Sequence, residues 1–160
     1  MVNEAKSAVG SAFGRKFLGY SLWAGRGKVV KLKVADKPLA TFKQRIGELT
    51  GRSAGRSMPQ IVEKLRTYML GWKGYFKLAE TPGIWKQLDE WLRHRLRAIQ
   101  LKHWKRGKTM YRELTQLGAA PSVVRQVAAN SRRWWRNADR LLKTVLTIGY
   151  FDRLGVPRLS

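Results

Sequence analysis

Cationic side chains stand beside aromatic rings at two places in this chain, Lys102-His103-Trp104-Lys105-Arg106 and Ser131-Arg132-Arg133-Trp134-Trp135-Arg136. A lysine or arginine neutralises a phosphate, and an indole face stacks on an unpaired base. Together these residue types suit RNA, or a nucleic acid with single-stranded parts. The overall balance agrees: 33 Lys and Arg against 10 Asp and Glu leave a net charge of +23 on 160 residues. A folded body with that excess repels itself until a polyanion neutralises it. The candidate RNA contacts are Arg93, Arg97, Lys102, Trp104, Lys105, Arg106, Lys108 and Arg112, followed by Arg132, Arg133, Trp135 and Arg136. Arg97 and Lys105 have no acidic residue three or four positions away to pair with on a helix. Of the adjacent Trp134 and Trp135, one is expected in the core and the other free to stack.

Other chemistry is poorly supplied. Two-metal catalysis needs clustered carboxylates, but the one adjacent pair, Asp89-Glu90, diverges around a helix and has basic partners within a turn. The spacing of His94 and His103 does not align them as metal ligands, so both read as core-edge or surface residues. The absence of cysteine excludes disulfides, thiolate nucleophiles and Cys-based zinc sites. No phosphate-binding loop or Ser/His/Asp pattern appears. The expectation is therefore no catalytic residue, no metal and no cofactor. No apolar run approaches a membrane span, and no membrane partner is expected. The opening Met1-Val2-Asn3-Glu4-Ala5-Lys6 has no apolar run, so a secretory leader is not expected there.

The elements that must position the candidate residues are mostly helical. Residues 16–23 and 28–34 flank Ala24-Gly25-Arg26-Gly27 and predict a β-hairpin, with Val30, Leu32 and Val34 on one face. A helix follows from Asp36, with Leu39, Phe42, Ile46 and Leu49 inward and Gly51 as its stop. Ser57 and Pro59 open a second helix with a stripe through Ile61, Leu65, Tyr68, Met69, Trp72 and Phe76. Gly71 and Gly74 lie off that stripe, where close approach of a backbone or ligand is expected. Thr81-Pro82 opens a third helix that runs to about Arg106 with Trp85, Leu88, Leu92, Leu96 and Ile99 inward. Lys86, Arg93 and Arg97 fall on another face together with Trp104, and this face is expected at the surface. Short helices follow at 108–117 and 121–129, then an irregular link over 130–137 and a last helix from 139 to about 146. The fold class is mostly α: a helical bundle, residues 36–160, with an N-terminal β-hairpin unit, residues 1–35.

Several segments, in order along the chain, resemble the C-terminal part of group II intron-encoded reverse transcriptase/maturases. Arg15-Lys16-Phe17-Leu18-Gly19-Tyr20-Ser21 is similar to the primer-grip strand that closes the palm, which makes Phe17, Leu18, Gly19 and Tyr20 primer-grip-like. Val2-Asn3-Glu4-Ala5-Lys6-Ser7 resembles the preceding lysine-bearing palm motif. Leu70-Gly71-Trp72-Lys73-Gly74-Tyr75-Phe76, Leu88-Asp89-Glu90-Trp91-Leu92-Arg93-His94-Arg95-Leu96-Arg97 and Ala128-Ala129-Asn130-Ser131-Arg132-Arg133-Trp134-Trp135 resemble the maturase-specific, or thumb, domain. The resemblance implies a thumb-like fold that binds group II intron RNA or an RNA/DNA duplex and assists splicing. The fingers and the palm's Tyr-x-Asp-Asp carboxylates are missing from this sequence, so it is not expected to polymerise DNA alone. Mg2+ would enter only with a separate fingers/palm polypeptide, and an initiating Met before a palm motif suggests a split or truncated gene. Three alternatives stay open: the thumb half of a split reverse transcriptase, a non-functional mobile-element remnant, and a basic RNA-binding protein unrelated to introns. The implied address is the bacterial cytoplasm, or an organelle if the gene is organellar.

Overall fold

The computed structural model describes residues 11–25, 27, 29–51, 55–139 and 141–160. The lysine-bearing motif around Lys6 lies outside them. The chain is mostly α, with a small sheet at the start. The sheet has three antiparallel strands in the order β1 (Lys16–Phe17), β2 (Tyr20–Ala24) and β3 (Val30–Val34). The expected single strand over 16–23 is broken because Leu18 and Gly19 adopt positive φ, 48° and 80°, and form a two-residue turn. That left-handed pair matches the twist of the flanking strands, which is why it makes a hairpin rather than a continuous run.

The sheet is fastened to the helices by aromatic packing and reciprocal hydrogen bonds. The Tyr20 hydroxyl donates to the Tyr75 carbonyl, and the Tyr75 hydroxyl donates to the Leu18 carbonyl at 3.0 Å. Phe76 is buried beneath, its ring 5.2 Å from that of Tyr20. A Cβ on Gly19 would meet the Phe76 ring at 3.2 Å, so the turn needs glycine for both its φ and its close approach. The backbone of Glu80 donates to the Leu32 carbonyl at 2.8 Å, occupying part of the outer edge of β3.

Among the described residues seven helices follow: α1 (Asp36–Leu49), α2 (Met58–Tyr75), α3 (Pro82–Trp104), α4 (Gly107–Gln116), α5 (Pro121–Ala129), α6 (Trp134–Asp139) and α7 (Ile148–Arg153). Ser57 and Gln60 form a capping box at the start of α2, satisfying two backbone donors that the first turn leaves free. The expected stripes are inward: Phe42 and Ile46 from α1, Ile61, Leu65 and Met69 from α2, and Leu88, Leu92 and Leu96 from α3. Each such side chain contributes about 1.5–3 kcal/mol by leaving water. Trp72 sits among Phe42, Phe76 and Trp85 at ring separations of 4.3, 4.7 and 5.2 Å. Gly71 and Gly74 face open space, so among the described residues no backbone makes the close approach expected there. Gly107 is where backbones meet: a Cβ there would lie 2.5 Å from the Ala128 carbonyl oxygen, so glycine lets α4 start against the end of α5.

The C-terminal part departs from expectation. The link over 130–137 contains helix α6, which packs on α3 and buries Asn137 and Ala138. Tertiary contact overrides the modest helix propensity of Trp-Trp-Arg-Asn. Residues 141–146 form turns instead of the last expected helix. Leu142 and Leu146 are buried at helical spacing, but Arg97 Nε takes the Leu146 carbonyl at 2.9 Å and Thr147 starts a new helix by accepting from the Tyr150 N–H. Among the described residues no helix is long and apolar enough to cross a membrane.

Candidate nucleic-acid interface

Helix α3 separates the candidate arginines into two kinds. Arg93 is wholly buried, with 0% of its surface exposed, and Arg97 is 5% exposed. Arg93 donates to Asp89 at 2.8 Å, to Asp152 at 3.2 Å and to the Pro157 carbonyl at 3.2 Å. Asp89 in turn accepts from the backbone N–H groups of Leu159 and Ser160. Arg158 also binds Asp152, and with Arg93 it holds that carboxyl below the usual carboxylate range. The guanidinium of Arg97 is lowered from its ordinary value by burial, with Asp139 opposing. These two arginines are structural and leave the candidate RNA surface. Arg93 thus draws one carboxylate, Asp89, from its own helix and a second, Asp152, from beyond α6.

The remaining cations gather because the two sequence runs are neighbours in the fold. Lys102 Nζ lies 5.7 Å over the Trp134 ring, within cation–π reach, and Gly107 abuts Ala128. Trp104 is half-buried against the core and Lys102 is half-exposed. Between α3 and α4 the chain turns at Lys105 with φ 55° and ψ −58°, closed by the Arg106 N–H donating to the Trp104 carbonyl at 2.6 Å. This γ-turn geometry is strained for a residue with a Cβ. It leaves Lys105, Arg106 and Lys108 exposed at the corner. Arg112 is also exposed, and its guanidinium pairs with Glu113 at 2.8 Å.

Arg132, Arg133 and Arg136 are exposed around α6, and Trp135 is 46% exposed while Trp134 packs on the core. Trp135 rests edge-on against His94, ring centres 4.0 Å apart. A concavity of about 670 Å³ opens beside it, lined by His94, Asn130, Arg133, Arg136, Asn137 and Asp139. Asn137 fixes the wall by donating to the Asn130 carbonyl at 3.0 Å. Burial pushes the His94 imidazole below its ordinary value; Asp139 opposes this, and Arg97, Lys143 and Arg95 add to it. His94 is thus a neutral ring at pH 7. Sequence reasoning missed the pairing of His94 with Asp139, at 3.9 Å, because α6 itself was not foreseen.

The primer-grip-like residues divide as well. Gly19 and Tyr20 are tied to the helices, whereas Phe17 and Leu18 are 77% and 66% exposed. Phe13, Val29, Val30 and Leu78 are exposed too, and Leu18, Leu22, Leu32 and Leu78 line an apolar trough. Among the described residues no group of three His, Cys, Asp or Glu side chains could hold a metal ion.

No curated protein matches the chain. Residues 39–118, half of the sequence, match the family described as Group II intron, maturase-specific domain. The match runs from α1 through the end of α4 and includes the buried Asp89–Arg93 pair and the basic corner after α3. The chain belongs to the group II intron maturase-specific domain family.

Proposed function

We propose that this chain is an RNA-binding maturase domain that helps a group II intron reach its splicing-competent fold without catalytic turnover of its own. The observation that carries this reading is two exposed basic stretches, Lys105, Arg106 and Lys108 at the corner after α3 and Arg132, Arg133 and Arg136 around α6, the latter flanking the half-exposed Trp135. Cations in such stretches release counterions from RNA, which gives salt-sensitive affinity with little sequence dependence. The aromatic face adds stacking that a regular duplex does not satisfy. A protein that binds the folded intron more tightly than its misfolded forms shifts the population toward the active fold by that difference.

The test is a salt-titrated binding assay that compares a folded group II intron with unstructured RNA of equal length. Tighter binding to the intron near physiological salt supports the reading; equal binding to both sinks it.

The sheet favours a second reading, the thumb half of a split reverse transcriptase. Its exposed Phe17 and Leu18, with Leu22, Leu32 and Leu78, line an apolar trough that a separate fingers/palm polypeptide would cover. The carboxylates for Mg2+ would have to come from that polypeptide, because the described residues of this chain do not offer a metal site. Co-purification of the chain with such a polypeptide, abolished by Leu18→Asp, is the expected result under this reading. Intact association of the Asp variant would rule it out.

A further inference from the structure

The concavity between α3, the end of α5 and α6 contains a carboxylate that a purely phosphate-binding surface would not include. Asp139 is exposed on a protein of net charge +23. Its carboxylate lies 3.4 Å from Lys143 Nζ and 3.9 Å from Nδ1 of the His94 imidazole, and among the described residues nothing donates a hydrogen bond to it. Both approach the same oxygen, Oδ1, so among the described residues Oδ2 has no partner. A neighbouring concavity of about 520 Å³ shares His94, Trp135 and Asp139 with the first, so indole and carboxylate stand together where both open to solvent. Arg133 and Arg136 stand at the first concavity, with no acidic partner among the described residues.

We propose that this notch takes one unpaired guanine of the bound RNA, stacked on Trp135 and read by Asp139, with Arg133 and Arg136 on the adjoining phosphates. The choice of base follows from donor patterns. Guanine alone presents two adjacent neutral donors, N1–H and N2–H, on its pairing edge, and the two oxygens of a carboxylate accept both. Adenine and cytosine offer one amino group beside a ring-nitrogen acceptor, and uracil's N–H is flanked by carbonyls that repel an anion. The base must be unpaired, because a paired guanine has already used that edge. Concavities of about 300–1,000 Å³ are the usual size for small ligands, which a nucleotide fits. His94 supports the indole edge, its ring centre 4.0 Å from that of Trp135.

This inference rests on the RNA-binding reading above, and its test separates the two. The wild-type chain is titrated with the pentaribonucleotides UUGUU, UUAUU, UUCUU and UUUUU, following tryptophan fluorescence, and in parallel with intron RNA. The expected result is about tenfold tighter binding of UUGUU, the scale of a bidentate base contact. Asp139→Asn should reduce that preference to within about twofold, because an amide offers one acceptor in place of two. Binding of intron RNA should keep its salt dependence in this variant, since no cation has been removed. If the four pentamers bind alike while the intron binds, the guanine notch is wrong and the RNA-binding reading stands. If neither the pentamers nor the intron bind, both readings fall.

Discussion

The middle of α3 and the 130–139 segment look alike in sequence, arginines beside aromatic residues, yet the fold uses them in opposite ways. Arg93 and Arg97 are enclosed, and every hydrogen bond they are seen to make goes to the protein itself: Asp89, Asp152, and the carbonyls of Pro157 and Leu146. Arg133 and Arg136 are exposed with no acidic partner among the described residues and flank the half-exposed Trp135. The lesson is that an arginine's role is set by whether the chain supplies its anion. Where carboxylates and carbonyls close around it, the residue builds the fold; where they do not, an external phosphate can complete it.

The comparison can be broken most forcefully at Arg93. Arg93→Ala leaves Asp89 buried without its cation and is expected to cost about 3–5 kcal/mol of stability, measured by chemical denaturation. An unchanged midpoint with weakened RNA binding would reverse the roles assigned here. Gly107→Ala comes next. Its methyl would press on the Ala128 carbonyl and should cost about 1–3 kcal/mol. Because that contact holds the two basic runs together, RNA affinity should fall with stability.

Lys105→Gly should act in opposing directions. Relief of the positive φ is expected to stabilise by about 1 kcal/mol, while loss of the cation weakens RNA binding. A thermal melt and a binding titration on the same variant check both.

The smallest effect concerns pH. The folded-state pKa of His94 lies below the unfolded value of about 6.5, so the fold favours the neutral ring. Its contribution to stability is complete above that value and is lost as pH falls through the folded-state pKa. Denaturation midpoints should therefore drop below about pH 6.5. His94→Gln should reduce this acid sensitivity without abolishing it, since burial depresses His103 in the same direction.

Much of the fold was legible because hydrophobic spacing dominates long amphipathic helices. The stripes of α1, α2 and α3, the Ser57-Pro59 helix start and the basic corner near Arg106 all follow from local pattern. What escaped was whatever depends on partners distant in the chain. The burial of Arg93 needs Asp152, helix α6 needs α3 as its platform, and the break at Leu146 needs Arg97. The notch was hidden for the same reason, since Asp139 meets His94 only once α6 is laid on α3. The turn at Leu18-Gly19 was legible in principle from its glycine, but the β-rich residues around it read as one continuous strand.

The central claim is that the exposed arginines around α6 grip RNA while those inside α3 do not. Its most direct test is the slope of log binding constant against log salt for intron RNA, comparing the wild type with the Arg132→Ala, Arg133→Ala, Arg136→Ala triple variant. Each lost phosphate contact should flatten the slope by about 0.7–0.9, so the triple variant is expected to be shallower by about two to three, with its melting temperature little changed. A slope identical to wild type in a folded triple variant would contradict the account.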